Sequence, residues 1–243
     1  MTSQSRAIPV LLTRPSGSAD RFANDLMVRL KDQIRIVQSP LMQPEALSPD
    51  WPDLPYGAVI LTSETGALSA ARLLDEGRSL PTLAYCVGDR TAEVARAAGF
   101  VAHSAQGDAE ALLDMILSLP EPGPYLHLRG RDARGDLAPR LAAKGRPAHA
   151  AIVYDQRPIA LTDDARALLA GRDPVIVPLF SPRTAQLFCD QAPKGAPLWI
   201  AAISQGAAKA VSGLSPARLK VAERPDAASM LAVVESLVTD PHA

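Results

Sequence analysis

Residues 59–74, VILTSETGALSAARLL, and residues 175–190, VIVPLFSPRTAQLFCD, carry one pattern: an apolar run, a hydroxyl residue, then apolar positions at helical spacing. Each reads as a buried strand that turns directly into an amphipathic helix. Ser63 falls on Ser181, 118 residues later. GDAEALL likewise matches PDAASML, with Asp108 on Asp226 at the same spacing of 118. VLLTRPSGSADRFANDL matches YLHLRGRDARGDLAPRL, with Arg14 on Arg129 at a spacing of 115. Three blocks repeated in one order point to a duplicated architecture, beyond the general likeness of α/β units.

Outward from these blocks, short apolar runs recur and helix-spaced segments follow them. The runs are Pro9 to Thr13, Ile34 to Gln38, Ala58 to Thr62, Leu83 to Val87, Tyr125 to Arg129, His149 to Tyr154, Val175 to Phe180 and Leu198 to Ser204. Helices are expected at Ser18 to Leu30, Gly66 to Asp75, Thr91 to Ala98, Ala109 to Leu117, Asp136 to Ala143, Arg183 to Gln191, Ala207 to Val211 and Ala227 to Val238. Alternation of this kind predicts α/β lobes, two similar doubly wound parallel sheets of the flavodoxin-like kind. Ligands of such sheets bind beyond the carboxyl ends of the strands, and two hinged lobes are expected to face one another across a cleft.

Composition narrows the function. The 243 residues are 47% hydrophobic and 21% charged with a net charge of -1, which excludes a disordered chain and leaves no basic field for nucleic acid or an anionic membrane. Aromatics at 4% are too sparse for a base-stacking surface. Cys86 and Cys189 have no partner at metal-ligand spacing and read as packing residues. The N-terminal apolar stretch is too short for a signal segment, and no run reaches the ~18 apolar residues of a membrane span, so a soluble, cytoplasmic protein is expected.

The strand ends carry hydroxyls and arginines. Thr62 and Ser63, then Ser181, Arg183 and Thr184, stand where a side chain caps a helix or where free N–H groups meet an anion. Gly88 sits in a turn that lets backbone approach a ligand, with Thr91 at the next helix start. Arg14 and Arg129 follow equivalent strands and present forks suited to carboxylates. Arg131 and Arg134 read as solvated loop charges balanced by Asp132 and Asp136. His103, His127 and His149 are isolated, and His242 lies near the C-terminus. No nucleophile elbow, Walker loop, zinc-protease or dinucleotide motif occurs. Tyr154, in IVYDQRP, ends a strand.

VLLTRP, ILTSETG, VGDRTAE, LHLRGRDARGDL, VYDQRP and FSPRTA, in this order and across essentially the whole chain, resemble the uroporphyrinogen-III synthase family. The resemblance implies interleaved lobes, residues 1–38 plus 157–243 and residues 42–153, joined by a two-strand hinge at QSPLM and YDQRP. It implies a ring-closing lyase that takes hydroxymethylbilane, a linear tetrapyrrole, to uroporphyrinogen III, inverting the last pyrrole and releasing water. Neither metal nor organic cofactor is implied. A monomer is expected, with at most transient contact with neighbouring pathway enzymes. Tyr154 matches the family's tyrosine thought to assist the leaving hydroxyl, and a tyrosine holds its proton at neutral pH. Ser63, Thr91 and Ser181 match positions that line the substrate. With the strand-end residues, the expected substrate-binding set is Thr13, Arg14, Thr62, Ser63, Gly88, Thr91, Arg129, Gly130, Ser181, Arg183, Thr184, Ser204 and Gln205. Thr65 departs from a common Asn, and Gly206 and Ala207 stand where hydroxyl residues are usual. A two-lobe binding protein that closes on a small anion without chemistry is the alternative, using the same strand-end features.

Overall fold

The computed structural model describes residues 7–120, 123–132 and 135–240, apart from the side chain of Ser16. Arg134 and His242, singled out above, lie outside the described residues, as do the first six positions of the N-terminal stretch. By contact density the chain divides into two units, Met1–Gln43 with Pro158–Ala243, and Pro44–Arg157.

The first unit holds a five-stranded sheet in the order β11-β10-β9-β1-β2. Its strands are β1 (Ile8–Leu12), β2 (Ile34–Gln38), β9 (Val175–Leu179), β10 (Leu198–Ala202) and β11 (Arg218–Val221), and all its pairings are parallel. Because both faces are covered, the inner strands β1, β9 and β10 are apolar throughout. Val10, Leu12, Ile176 and Ala201 pack under α1 (Ser16–Leu30) and α9 (Ala227–Thr239), through Phe22, Leu26, Met230 and Val234. Leu11, Val177 and Ile200 face the other way, onto α6 (Asp163–Leu169), α7 (Pro182–Gln191) and α8 (Gln205–Ala210).

The second unit holds a six-stranded sheet in the order β3-β8-β7-β4-β5-β6. Here β4 (Ala58–Leu61), β5 (Leu83–Cys86), β6 (Val101–Ser104), β7 (Tyr125–Gly130) and β8 (Ala148–Pro158) run parallel, with β3 (Met42–Ala46) at the edge. Val59, Leu61, Leu126, Leu128, Ala151 and Val153 pack against α2 (Glu64–Asp75) and α3 (Asp89–Ala97). Ala58, Ile60 and Tyr125 pack against α4 (Ala109–Ser118) and α5 (Leu137–Ala143).

Four elements are absent from the sequence reading: β3, β6, β11 and α6. At the two segments expected to form a two-strand hinge, Met42–Ala46 forms β3, starting at the last residue of QSPLM, and β8 runs on through the YDQRP segment to Pro158. Pro44 is tolerated because β3 is an edge strand, where a missing N–H costs no ladder bond.

Each sheet reverses its strand order once. The chain passes from β1 to β2 on one side and from β9 through β10 to β11 on the other. In the second sheet the reversal lies between β4 and β7. Ligands of open α/β sheets bind beyond the strand carboxyl ends at such points. The residues there are Thr13, Arg14 and Ser181 in the first unit, and Thr62, Ser63, Arg129 and Gly130 in the second.

Candidate active site

Within the second unit, Tyr154 owes its position to an irregularity in β8. Arg129 pairs with Ile152, but the next residue, Gly130, pairs with Tyr154, so β8 carries one extra residue. Such a bulge turns the following side chain onto the opposite face of a sheet. Tyr154 therefore joins Ala151 and Val153 on the α2 side, where strict alternation would have put it on the other. The Arg131 amide donates to the Tyr154 carbonyl at 3.1 Å, and the Arg131 guanidinium pairs with buried Asp155 at 3.0 Å, bracing the bulge. Arg131 is an exposed loop charge, as expected, and its carboxylate partner is Asp155.

Gly130 makes room for the ring. A Cβ built there would lie 2.5 Å from Tyr154 Cζ and 2.7 Å from its hydroxyl oxygen, closer than any side-chain carbon is tolerated. The hydroxyl lies 3.0 Å from Ser63 Oγ. Ser63 is the N-cap of α2, and its Oγ accepts the Gly66 N–H at 3.0 Å.

Beside this pair, Thr62 Oγ1 is 3.2 Å from Nε2 of His127, which sequence reasoning left isolated. His127 is buried on β7, and burial, reinforced by the nearby Arg129 cation, pushes its pKa down to about 4, so the imidazole is neutral at physiological pH. Arg129 lies inside β7 rather than after it and donates to the Gly130 carbonyl at 3.1 Å. Gly88 is the N-cap of α3 in extended backbone and supplies no side-chain cap to that helix; Thr91 is buried in its first turn. Burial holds the Cys86 thiol up at about 11, in keeping with a packing role; Cys189 is half-buried.

In the first unit, Thr13 is 1% exposed, and its hydroxyl has no hydrogen-bond partner among the described residues. The Arg14 guanidinium stacks 3.8 Å over the Phe180 ring. Ser181 caps α7 by accepting the Thr184 N–H at 3.0 Å and donates to Thr184 Oγ1 at 2.9 Å. Arg183 is exposed on the same first turn. Ser204 caps α8 through the Ala207 N–H at 3.3 Å, with exposed Gln205 opening the helix. A Cβ on Gly206 would meet Pro182 Cγ at 3.3 Å. A cavity of about 440 Å³ at the opposite, amino ends of the strands, lined by Ile8, Pro9, Arg35 and Arg172, carries none of these groups.

The family model described as uroporphyrinogen-III synthase HemD matches residues 31–232, most of the chain. The chain belongs to the uroporphyrinogen-III synthase family. It is accordingly a cofactor-independent, ring-closing lyase of porphyrin biosynthesis. No curated protein matches it. Among solved structures it is similar to uroporphyrinogen-III synthetase from Helicobacter pylori, with 17% identity over 95% of this chain and 99% of that one and a TM-score of 0.63. A mutant synthase of this family from Thermus thermophilus shares 16% identity over 95% of this chain and 99% of that one, with a TM-score of 0.49. The Helicobacter likeness bears on the two-sheet fold, and membership of the synthase family rests on the family model.

Proposed function

We propose that the chain closes hydroxymethylbilane to uroporphyrinogen III with Tyr154 as the acid for the departing hydroxyl. The strand-end groups Thr13, Arg14, Ser181, Arg183, Thr184, Ser204 and Gln205 of one unit, and Thr62, Thr91, Gly88, Arg129 and Gly130 of the other, hold the substrate's acetate and propionate groups. The observation that carries the reading is the Tyr154 hydroxyl, set by a bulge and a glycine against the N-cap of α2 at a sheet's reversal point. Tyr154 gives its proton to the terminal hydroxyl as the C–O bond breaks with its electron pair going to oxygen, and water leaves. The pyrrole nitrogen lone pair supplies the push, so no nucleophile or strong base is required. The resulting azafulvenium returns its N–H proton to the tyrosinate. The substituted carbon of the last pyrrole then attacks the electrophilic methylene carbon. The bond from that substituted carbon to its original methylene bridge breaks, and the bridge rejoins at the ring's free α-carbon, whose proton replaces the one lost from the azafulvene nitrogen. Holding the substituted carbon in place is positional catalysis, worth up to about 7 to 11 kcal/mol in well-oriented systems.

The test is to incubate the purified chain with freshly generated hydroxymethylbilane and separate the oxidised uroporphyrin isomers. Unassisted closure gives the uninverted type I isomer, so excess type III is expected. Tyr154→Phe is expected to keep the fold and lose about 10²- to 10⁴-fold in turnover, the usual range for a positioned acid. Near-normal turnover in that variant would remove Tyr154 from the chemistry. Because the bilane closes by itself, the enzyme must meet it where it forms, and we assign the chain to the cytoplasm as a monomer in transient contact with its supplier. Sedimentation of the purified chain tests the monomer.

A further inference from the structure

We propose that Ser63 acts through Tyr154 and not on the substrate, donating its hydroxyl proton to the tyrosine oxygen as that oxygen gives up its own. This rests on the reading of Tyr154 as the acid. The Ser63 and Tyr154 oxygens are 3.0 Å apart, and either is able to donate at rest. Once the Tyr154 proton has moved to the departing hydroxyl, the tyrosine oxygen only accepts, and the Ser63 O–H is the donor within reach. A hydrogen bond to a charged oxygen is about twice as strong as a neutral one, so the contact strengthens along the reaction coordinate.

Two further features aim Ser63 at this task. Its Oγ already accepts the Gly66 N–H at 3.0 Å, which polarises the hydroxyl and makes it a better donor. A Cβ on Gly66 would lie 3.2 Å from both Ser63 Oγ and the Leu128 carbonyl oxygen, so the glycine leaves the cap oxygen uncrowded. Ser63 is also the N-cap of the twelve-residue α2, so the charge developing on Tyr154 appears beside a helix N-terminus, where negative charge is favoured. The proton that Tyr154 loses returns to it from the azafulvenium N–H, and Ser63 ends with the proton it began with.

A cap and a donor are separable by substitution. Ser63→Asp keeps a cap acceptor for Gly66 but has no proton to give, Ser63→Thr keeps both functions, and Ser63→Ala loses both. Steady-state kinetics are measured on these variants in the native and the Tyr154→Phe backgrounds, with circular dichroism to confirm folding. The expected result is a loss of about 10- to 100-fold in kcat for Ser63→Ala and Ser63→Asp with KM little changed, and recovery of most of it in Ser63→Thr. In the Tyr154→Phe background the same substitutions add no further loss, because the group they serve is gone. Native turnover in Ser63→Asp overturns the proposal and leaves Ser63 a cap. A rise in KM, or losses that multiply with Tyr154→Phe, overturns it in favour of direct substrate contact. Failure of the underlying acid reading is read separately, as near-normal turnover of Tyr154→Phe alone.

Discussion

At Gly130 the absence of one carbon atom decides where a ring sits. A methyl group placed 2.5 Å from Tyr154 Cζ cannot be absorbed by rotating the glycine, because Gly130 is bonded into β7 opposite the bulge. Gly130→Ala is therefore expected to swing Tyr154 away from Ser63. Turnover should fall at least tenfold, with a stability loss of about 1 to 3 kcal/mol typical of overpacking. Kinetics and denaturant unfolding on the same preparation check both, and native kcat would show that the ring position is unimportant. His127 sets a second test at this scale. Its folded pKa of about 4 lies below the ordinary 6.5, so between those values the unfolded chain binds a proton that the folded chain refuses. Stability contributed by the neutral, buried imidazole is complete above pH 6.5 and is lost as the pH falls towards 4, by about 3 kcal/mol in all. Denaturant unfolding between pH 7 and 4 should show this slope, and His127→Leu should flatten it while lowering stability at pH 7 by losing the Thr62 bond. An unchanged slope in the variant would mean other groups govern acid sensitivity.

At the scale of elements, legibility followed burial. Strands buried on both faces announce themselves as apolar runs, so β4 and β9, every residue of which is buried, were placed to within one residue. Of the edge strands, β2 was placed and β3, β6 and β11 were not: β6 buries only Ala102, and β11 has no buried residue, so neither needs an apolar run. The α6 helix was missed for another reason. Its cap, Thr162 accepting the Ala165 N–H, and its two first-turn acids were legible start signals, but the seven-residue helix is too short for its periodicity to stand out. The candidate site divides the same way. Ser63, Ser181 and Ser204 were readable as strand-end hydroxyls, and all three cap helices. The bulge that re-aims Tyr154 and the bond between Thr62 and His127 were not, because both depend on the pairing of segments distant in sequence.

For the molecule as a whole, the two units differ in how the chain supplies them. Pro44–Arg157 is one continuous stretch, well above the ~60 residues at which small domains fold alone, whereas the other unit is assembled from two segments separated by that stretch. The continuous unit also has its own cores on both faces of its sheet, built from α2 and α3 on one side and α4 and α5 on the other. Neither core cluster draws a residue from the discontinuous unit. A chain of residues 42–158, which keeps β3 and β8 whole, is therefore expected to fold by itself, with α/β circular dichroism and one cooperative urea transition. The complementary two-segment unit must first close a long loop, an entropic cost that the folded insert removes by bringing its ends together through the neighbouring strands β3 and β8. The isolated 42–158 chain retains Tyr154, Ser63 and Thr62 but lacks Thr13, Arg14, Ser181 and Ser204, so it should close the bilane no faster than the spontaneous reaction and give only type I isomer. A gradual, non-cooperative urea profile would show that the unit depends on the rest of the chain. Type III product from a folded fragment would show instead that the strand ends of the first unit are dispensable for choosing the attacking carbon.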